Sequence, residues 1–259
     1  LQVQNFTTAT NAYNVAVGYD AGVAVTTGQV NTLVGGLSGD ALTTGGENTA
    51  IGYKTLSANT TGAYNTALGS RALANFNVTT SAGTYNVAVG YNAGNDVTTG
   101  VNNTLVGGTT GQALTTGGNN VAMGYGALYT DDVGSHSVAI GVSALQNQNT
   151  ATAASVYNTA VGSQAGLSMT TGKDNTLIGG LTGDALLTGE FNVAVGKSAL
   201  SADTDGGYNV GVGALALTTQ NFTTTTNSYN TAVGGLAGRR ITTGVENTII
   251  GGLAGDHLT

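Results

Sequence analysis

The sequence predicts an all-β fold, a β-solenoid (β-roll or β-helix) of about fourteen 17-residue coils in which every fourth coil is lengthened to 21 residues. Three observations predict it. Asn14, Asn86, Asn158 and Asn230 lie 72 residues apart and open the phrases NVAVG, NVAVG, NTAVG and NTAVG. Within a unit the phrase returns at steps of 17, 17, 17 and 21, as at Asn14, Asn31, Asn48, Asn65 and Asn86. Each occurrence is a short apolar alternation closed by glycine. A fixed short period of this kind marks stacked repeats, each burying its apolar side only against its neighbours.

The predicted organisation is a single solenoid over 1–259. It comprises a partial long coil at 1–13, full 72-residue units at 14–85, 86–157 and 158–229, and a partial unit at 230–259.

Position 1 of each coil is Asn: Asn14, Asn31, Asn48, Asn65, Asn86, Asn103, Asn120, Asn158, Asn175, Asn192, Asn209, Asn230 and Asn247, with Ser137 as the exception. Identical Asn side chains stacked at a strand spacing of roughly 4.8 Å can hydrogen-bond along the axis. The alternative is Asn as a turn former that tolerates a left-handed backbone. Both readings are structural.

Positions 2 to 4 have the period of 2 expected of a strand, with positions 2 and 4 on one face. Position 4 is aliphatic in every coil, from Val17 to Ile250, and is expected in the core. Position 5 is Gly throughout, where the chain turns or passes another backbone too closely for a Cβ.

Position 8 is small, as at Ala21 and Ala72, so something packs tightly on it. Positions 9 and 12 exchange roles. Gly22 and Gly39 accompany Val25 and Leu42, whereas Leu56 and Leu73 accompany Asn59 and Phe76. Each coil is therefore expected to supply one extra large apolar group, from one of two corners; only Phe76 breaks the pattern. Position 3 is usually Ala but becomes Leu33, Leu105, Leu177 and Ile249 in the second coil of each unit. The Gly pairs Gly35-Gly36 and Gly107-Gly108 of that coil are the expected compensation in volume.

The extra residues of the 21-residue coils fall in NFNVTTSAG, QNQNTATAAS and QNFTTTTNS. These are expected to bulge as loops from one side, where solenoids place recognition elements.

Composition narrows the chemistry. The 259 residues include 43 Gly and no Pro, Cys or Trp, and 7% are charged. Without Cys there are no disulfides, zinc–thiolate sites or thiol catalysis. A formal net charge of −7, with Arg239-Arg240 the only basic pair, argues against a nucleic-acid partner. No run reaches the roughly 18 apolar residues of a membrane span.

The two histidines fit no catalytic pattern; His136 replaces the aromatic seen at Tyr64 and Tyr208. Asp131-Asp132, Asp203 and Asp205 read as solvated turns. A calcium site there is the weaker alternative, because the regular Asp spacing of calcium-binding β-helices is absent. No catalytic residue, cofactor or metal ligand is assigned, and the chain reads as non-catalytic. Sequons at Asn5, Asn59, Asn77, Asn102 and Asn221 are candidate glycosylation sites. The recurring Thr-Thr-Gly, as at Thr26-Thr27, invites comparison with ice-binding solenoids. Adjacent Thr residues on a strand point to opposite faces, however, leaving a single outward row.

HSVAIG at His136 to Gly141 resembles the SVAIG repeats in the head domains of trimeric autotransporter adhesins, and the NTAVG and NTALG variants are also similar to repeats of bacteriophage tail fibres and bacterial surface fibres. The resemblance implies a left-handed β-roll, trimeric in the adhesins and without enzyme activity. The coil lengths of 17 and 21 depart from the shorter adhesin coil.

These readings order the functions. First stands a structural subunit of an extracellular, cell-surface or virion-surface fibre, its partner being itself in a head-to-tail fibre or homotrimer. The chain starts and stops inside a unit, and bare strand edges are expected to favour end-to-end stacking. Second stands an adhesin or phage receptor-binding shaft that recognises host-surface glycans through the long loops. Ice binding is third.

Overall fold

The computed structural model describes residues 4–5, 10–80, 83–150, 152 and 154–258. They fall into two compact units, Leu1–Tyr125 and Gly126–Thr259, divided inside the 86–157 repeat rather than at one of its ends. Among the described residues there is no helix. The chain is a parallel β-solenoid of about fourteen coils, roughly 17 residues apart.

The first unit stacks seven three-residue strands in chain order: β1 (Val15–Val17), β2 (Thr32–Val34), β3 (Thr49–Ile51), β4 (Thr66–Leu68), β5 (Val87–Val89), β6 (Thr104–Val106) and β7 (Val121–Met123). Each pairs in parallel with the next, equivalent residues opposite one another: Val15 faces Thr32, and Thr66 faces Val87 across the longer step.

The second unit has seven such strands and four shorter ones: β8 (Gly134–Ser135), β9 (Val138–Ile140), β10 (Ala154–Ser155), β11 (Thr159–Val161), β12 (Thr176–Ile178), β13 (Val193–Val195), β14 (Gly206–Gly207), β15 (Val210–Val212), β16 (Thr226–Asn227), β17 (Thr231–Val233) and β18 (Thr248–Ile250). The short pairs β8–β10 and β14–β16 return the chain to the common register after each long loop. In the first unit a bridge between Ala63 and Gly83 does the same.

Period 2 holds along each strand, but the inward face is the opposite of the expected one. Position 3 is buried, as at Leu33, Ala50, Ala67 and Leu105, and the position-4 aliphatics look outward. Val17 is 59% exposed and Ile250 71%. The reason lies across the coil, where large side chains from positions 9 and 12 fill the narrow interior. Opposite Leu56 and Leu73 the strand can present only Ala50 and Ala67.

The exchange between positions 9 and 12 is present as expected, with Val25, Leu42, Leu56 and Leu73 all fully buried. The partner of the position-3 leucine differs from expectation. A Cβ on Gly39 would lie 2.9 Å from Cδ2 of Leu33, whereas one on Gly36 would approach only Tyr53 and Tyr19. The position-9 glycine, not the pair at positions 5 and 6, makes room for the leucine. The position-5 glycine serves both expected purposes. Gly18 has φ +134°, and a Cβ there would lie 2.6 Å from the Gly35 carbonyl oxygen.

Three further sites per coil have a left-handed backbone: the residue before position 1, position 7 and position 9. They include Val30, Glu47, Leu37, Lys54, Leu56 and Leu73, none of them a usual residue for that conformation. Hydrogen bonds between coils hold them there. Val30 N–H donates to Ala12 O at 2.7 Å, Leu37 N–H to Tyr19 O at 2.8 Å and Leu56 N–H to Ala72 O at 3.1 Å.

Candidate functional site

The Asn positions form a buried hydrogen-bonded ladder. Asn31 N–H donates to Asn14 Oδ1 at 2.8 Å, and Asn31 Nδ2 donates across its own coil to Gly45 O at 3.0 Å. The same pair of bonds recurs at Asn48 with Asn31 and Gly62, at Asn103 with Asn86 and Gly117, and at Asn175 with Asn158 and Gly189. Asn65, Asn120, Asn192, Asn209 and Asn247 likewise donate N–H to the preceding Asn. An Asn with both bonds, such as Asn31, Asn48 or Asn103, ties the start of its strand to the coil before and closes its own coil, whereas Asn65 and Asn247 turn Nδ2 to the nearby Ala63 and Val245 carbonyls. Where long loops intervene, hydroxyls join in: Thr84 Oγ1 donates to Asn65 Oδ1 at 2.9 Å and Ser228 Oγ to Asn209 Oδ1 at 2.7 Å.

Position 12 of the long-loop region holds acid–amide networks that sequence reasoning missed. Asp131 and Asp203 are fully buried, which corrects their reading as solvated turns. Asp131 accepts hydrogen bonds from Gly134 N–H at 3.0 Å and from Gln148 Nε2 at 2.6 Å. Gln148 also donates to Ser137 Oγ at 2.9 Å and accepts from Asn158 Nδ2 at 3.0 Å. The amide thereby bridges the one coil whose ladder residue is Ser.

Asp203 repeats the arrangement, accepting from Gln220 Nε2 at 2.7 Å, Phe222 N–H at 3.0 Å and Gly206 N–H at 3.1 Å. Gln220 then accepts from Asn230 Nδ2 at 2.8 Å. Burial pushes both carboxyl pKa values up, against the lowering effect of these hydrogen bonds. The first unit places Asn59 and Phe76 at the same two positions. Asn59 is satisfied locally, its Oδ1 and Nδ2 both bonded to Gly62. The available signal was the recurrence of Asp and Gln 17 residues apart at position 12 of successive coils.

In several coils the residue before the ladder Asn is an exposed aromatic, and where such coils adjoin within a unit the rings stack. Tyr64 and Tyr85 stack with ring centroids 5.1 Å apart, and Phe191, Tyr208 and Tyr229 continue the motif at 4.8 and 5.1 Å. His136 lies 5.1 Å from the Tyr157 ring, as its sequence phase predicted. The charge of Glu47 and its hydrogen bond raise the Tyr64 phenol pKa. A second column at position 6 contains Tyr19, Tyr53, Tyr91 and Tyr125, all exposed.

The long loops turn their phenylalanines inward: Phe76 is fully buried and Phe222 nearly so. Of the candidate glycosylation sites, Asn5, Asn102 and Asn221 are exposed and Asn77 is half-buried. Asn59 is fully buried with its amide engaged, so the folded coil does not present it for modification. In the Thr-Thr-Gly phrase the first hydroxyl is used along the axis, as in Thr26 Oγ1 to Thr43 O at 3.2 Å and Thr43 Oγ1 to Thr60 O at 2.9 Å.

Among the described residues, no three His, Cys, Asp or Glu side chains gather in a way that could hold a metal ion. No helix is long and apolar enough to cross a membrane. Asp131 and Asp203 are sealed by amides and backbone, so their polarity serves the core. Among the described residues, the exposed groups include the outward strand face and the exposed aromatics before position 1 and at position 6. Comparison of the chain with protein-family models, curated proteins and solved structures finds no match.

Proposed function

We propose that the chain is a non-catalytic structural subunit of an extracellular or surface fibre, in which solenoid coils stack end to end across copies. One observation carries the reading. The contact between coils is homotypic: strand positions 2 to 4, the ladder Asn and the position-5 glycine each meet their own equivalent in the next coil. A surface that fits itself is what a fibre needs, because one contact then repeats without change.

Electron microscopy and concentration-dependent sedimentation test it. Filaments, or a sedimentation coefficient that rises with concentration, are the expected results. A monodisperse monomer at the highest attainable concentration would sink the proposal.

The outward strand face favours a second reading for side-by-side packing, with another copy of this chain as the occupant, as in a homotrimer. In the first unit Ile51 and Met123 each expose about two-fifths of their surface at position 4, and in the second unit Ile178 does the same. Ile51→Lys with Ile178→Lys is expected to convert such an oligomer to monomer, and an unchanged mass would remove this face from the contact. Recognition at the long loops has less support, since Phe76 and Phe222 are committed to the interior.

A further inference from the structure

The position-6 column of the first unit reads Tyr19, Gly36, Tyr53, Ser70, Tyr91, Gly108 and Tyr125, an aromatic alternating with a small residue on successive coils. Tyr19 is 77% exposed and Tyr125 65%. The small residues make room for the rings. A Cβ on Gly36 would lie 3.7 Å from Tyr53 Cδ2, and one on Gly108 would lie 3.4 Å from Tyr125 Cδ2, so each ring leans over the glycine of the coil before it.

The fold does not require these rings. In the second unit the same position holds Val142, Ser163, Gly180, Lys197 and Ala214, yet the backbone bonds are the same. Leu37 N–H reaches Tyr19 O at 2.8 Å, and Leu215 N–H reaches Lys197 O at 2.9 Å. Exposed aromatics that the coil can do without, kept in one register through four alternate coils, point to a ligand with that repeat.

We propose that this column binds an extended neutral β-1,4-linked polysaccharide along the solenoid axis. The tyrosines recur at two strand spacings, roughly 9.6 Å. A β-1,4-linked chain turns each sugar over relative to the last, so it presents the same face once per disaccharide, a repeat close to that distance. Sugar rings are amphipathic, with an apolar C–H face and a hydroxyl edge. The tyrosines supply rigid stacking surfaces for the face at small entropic cost.

Lys54, which follows Tyr53 in sequence, joins the column to a polar depression that can receive the hydroxyls. Lys54, Ser57, Arg71, Asn75 and Asn95 line an open depression of about 250 Å3 between the levels of Tyr53 and Tyr91. Lys54 Nζ lies 5.7 Å from the Tyr53 ring centroid, and the Asp96 carboxylate accepts from both Asn75 and Asn95. Lys54 and Arg71 are the only cations of the first unit, against Asp20, Asp40, Glu47 and Asp96. That balance disfavours nucleic acid or another polyanion. The proposal does not rest on fibre assembly, because the column lies along one unit.

The test titrates the full chain with cello-oligosaccharides of increasing length, followed by calorimetry and by tyrosine fluorescence, which no Trp obscures. Affinity is expected to climb once per added disaccharide, as each reaches another ring. Tyr53→Ala with Tyr91→Ala is expected to weaken binding of the long oligomers about tenfold. Tyr53→Phe with Tyr91→Phe retains binding and controls for folding, and Tyr208→Ala in the other column leaves it unchanged. Three results would overturn the proposal: no binding, binding that the alanine pair leaves intact, or binding confined to a polyuronate and lost in salt. A shift in sedimentation of the alanine pair without any glycan binding would assign the column to a second copy instead.

Discussion

Leu33 occupies the space that Gly39 leaves empty: a Cβ on Gly39 would lie 2.9 and 3.3 Å from the two methyl groups of that leucine. Gly111 stands in the same relation to Leu105, and Gly183 to Leu177. The pairing returns with the 72-residue period, so that period is written into the packing of the core.

Gly39→Ala should therefore be severely destabilising, by about 2–4 kcal/mol, because it both overpacks the core and places Ala at φ +55°. The double variant Gly39→Ala, Leu33→Ala should cost less than the sum of the single changes. A double-mutant cycle by urea denaturation measures the coupling, and strict additivity would show that the two side chains do not compete for one space.

Asn48 stands mid-ladder, with Nδ2 donating to Gly62 O at 3.0 Å and Oδ1 accepting from Asn65 N–H at 3.0 Å. Asn48→Ala leaves both backbone groups buried without this partner, and a loss of about 2–4 kcal/mol is expected. Asn48→Asp should be no milder, since it also buries a charge. Hydrogen exchange should show the Asn65 amide losing protection in the alanine variant.

Burial raises the carboxyl pKa of Asp131 and Asp203, and more modestly enclosed Asp40 and Asp184 shift the same way. A folded pKa above the unfolded value means that stability is fullest below the unfolded value and is lost as pH rises through the folded one. The melting temperature is thus expected to rise as pH is lowered from neutral toward the ordinary aspartate range. A melting temperature that falls steadily over that window would contradict the assignment.

Ser143 sits at position 7 with φ +56°, where the equivalent residue one coil earlier in the sequence is Gly126 with φ +63°. Ser143→Gly relieves the left-handed backbone and is expected to stabilise by about 0.5–1 kcal/mol, contrary to the usual effect of introducing glycine. Calorimetric melting of the two proteins decides the sign.

Much of the fold was legible in the sequence, because a repeat converts one inference into fourteen. Strand location, the position-5 glycine, the small position 8 and the exchange at positions 9 and 12 all follow from side-chain volume recurring at fixed phase. The facing of the strand was not legible. Position 4 is the more hydrophobic site, but inwardness is set by what stands across the coil. There Leu56 and Leu73 leave room only for the methyl groups of Ala50 and Ala67. The acid–amide networks were hidden for a related reason. Asp131 and Gln148 look like loop residues singly, and their complementarity emerges only when position 12 of one coil is laid on position 12 of the next.

The candidate glycan face was half visible, in the recurrence of Tyr19, Tyr53, Tyr91 and Tyr125 at one phase. Their exposure, and the lean of Tyr53 over Gly36, required coordinates.

By itself, then, the sequence determined the period, the stacked solenoid and the recurrence of Asn at position 1, since each depends on like residues meeting like at a fixed step; that the Asn side chains bond along the axis came from the coordinates. Only the tertiary structure decided which strand face turns inward, which polar groups are buried in partnership, and that Val30, Leu37 and Leu56 take left-handed backbones. Those outcomes depend on the contents of a narrow interior and on hydrogen bonds between coils. Such forces act between residues 17 or 21 apart in sequence and override the local preference of any one of them.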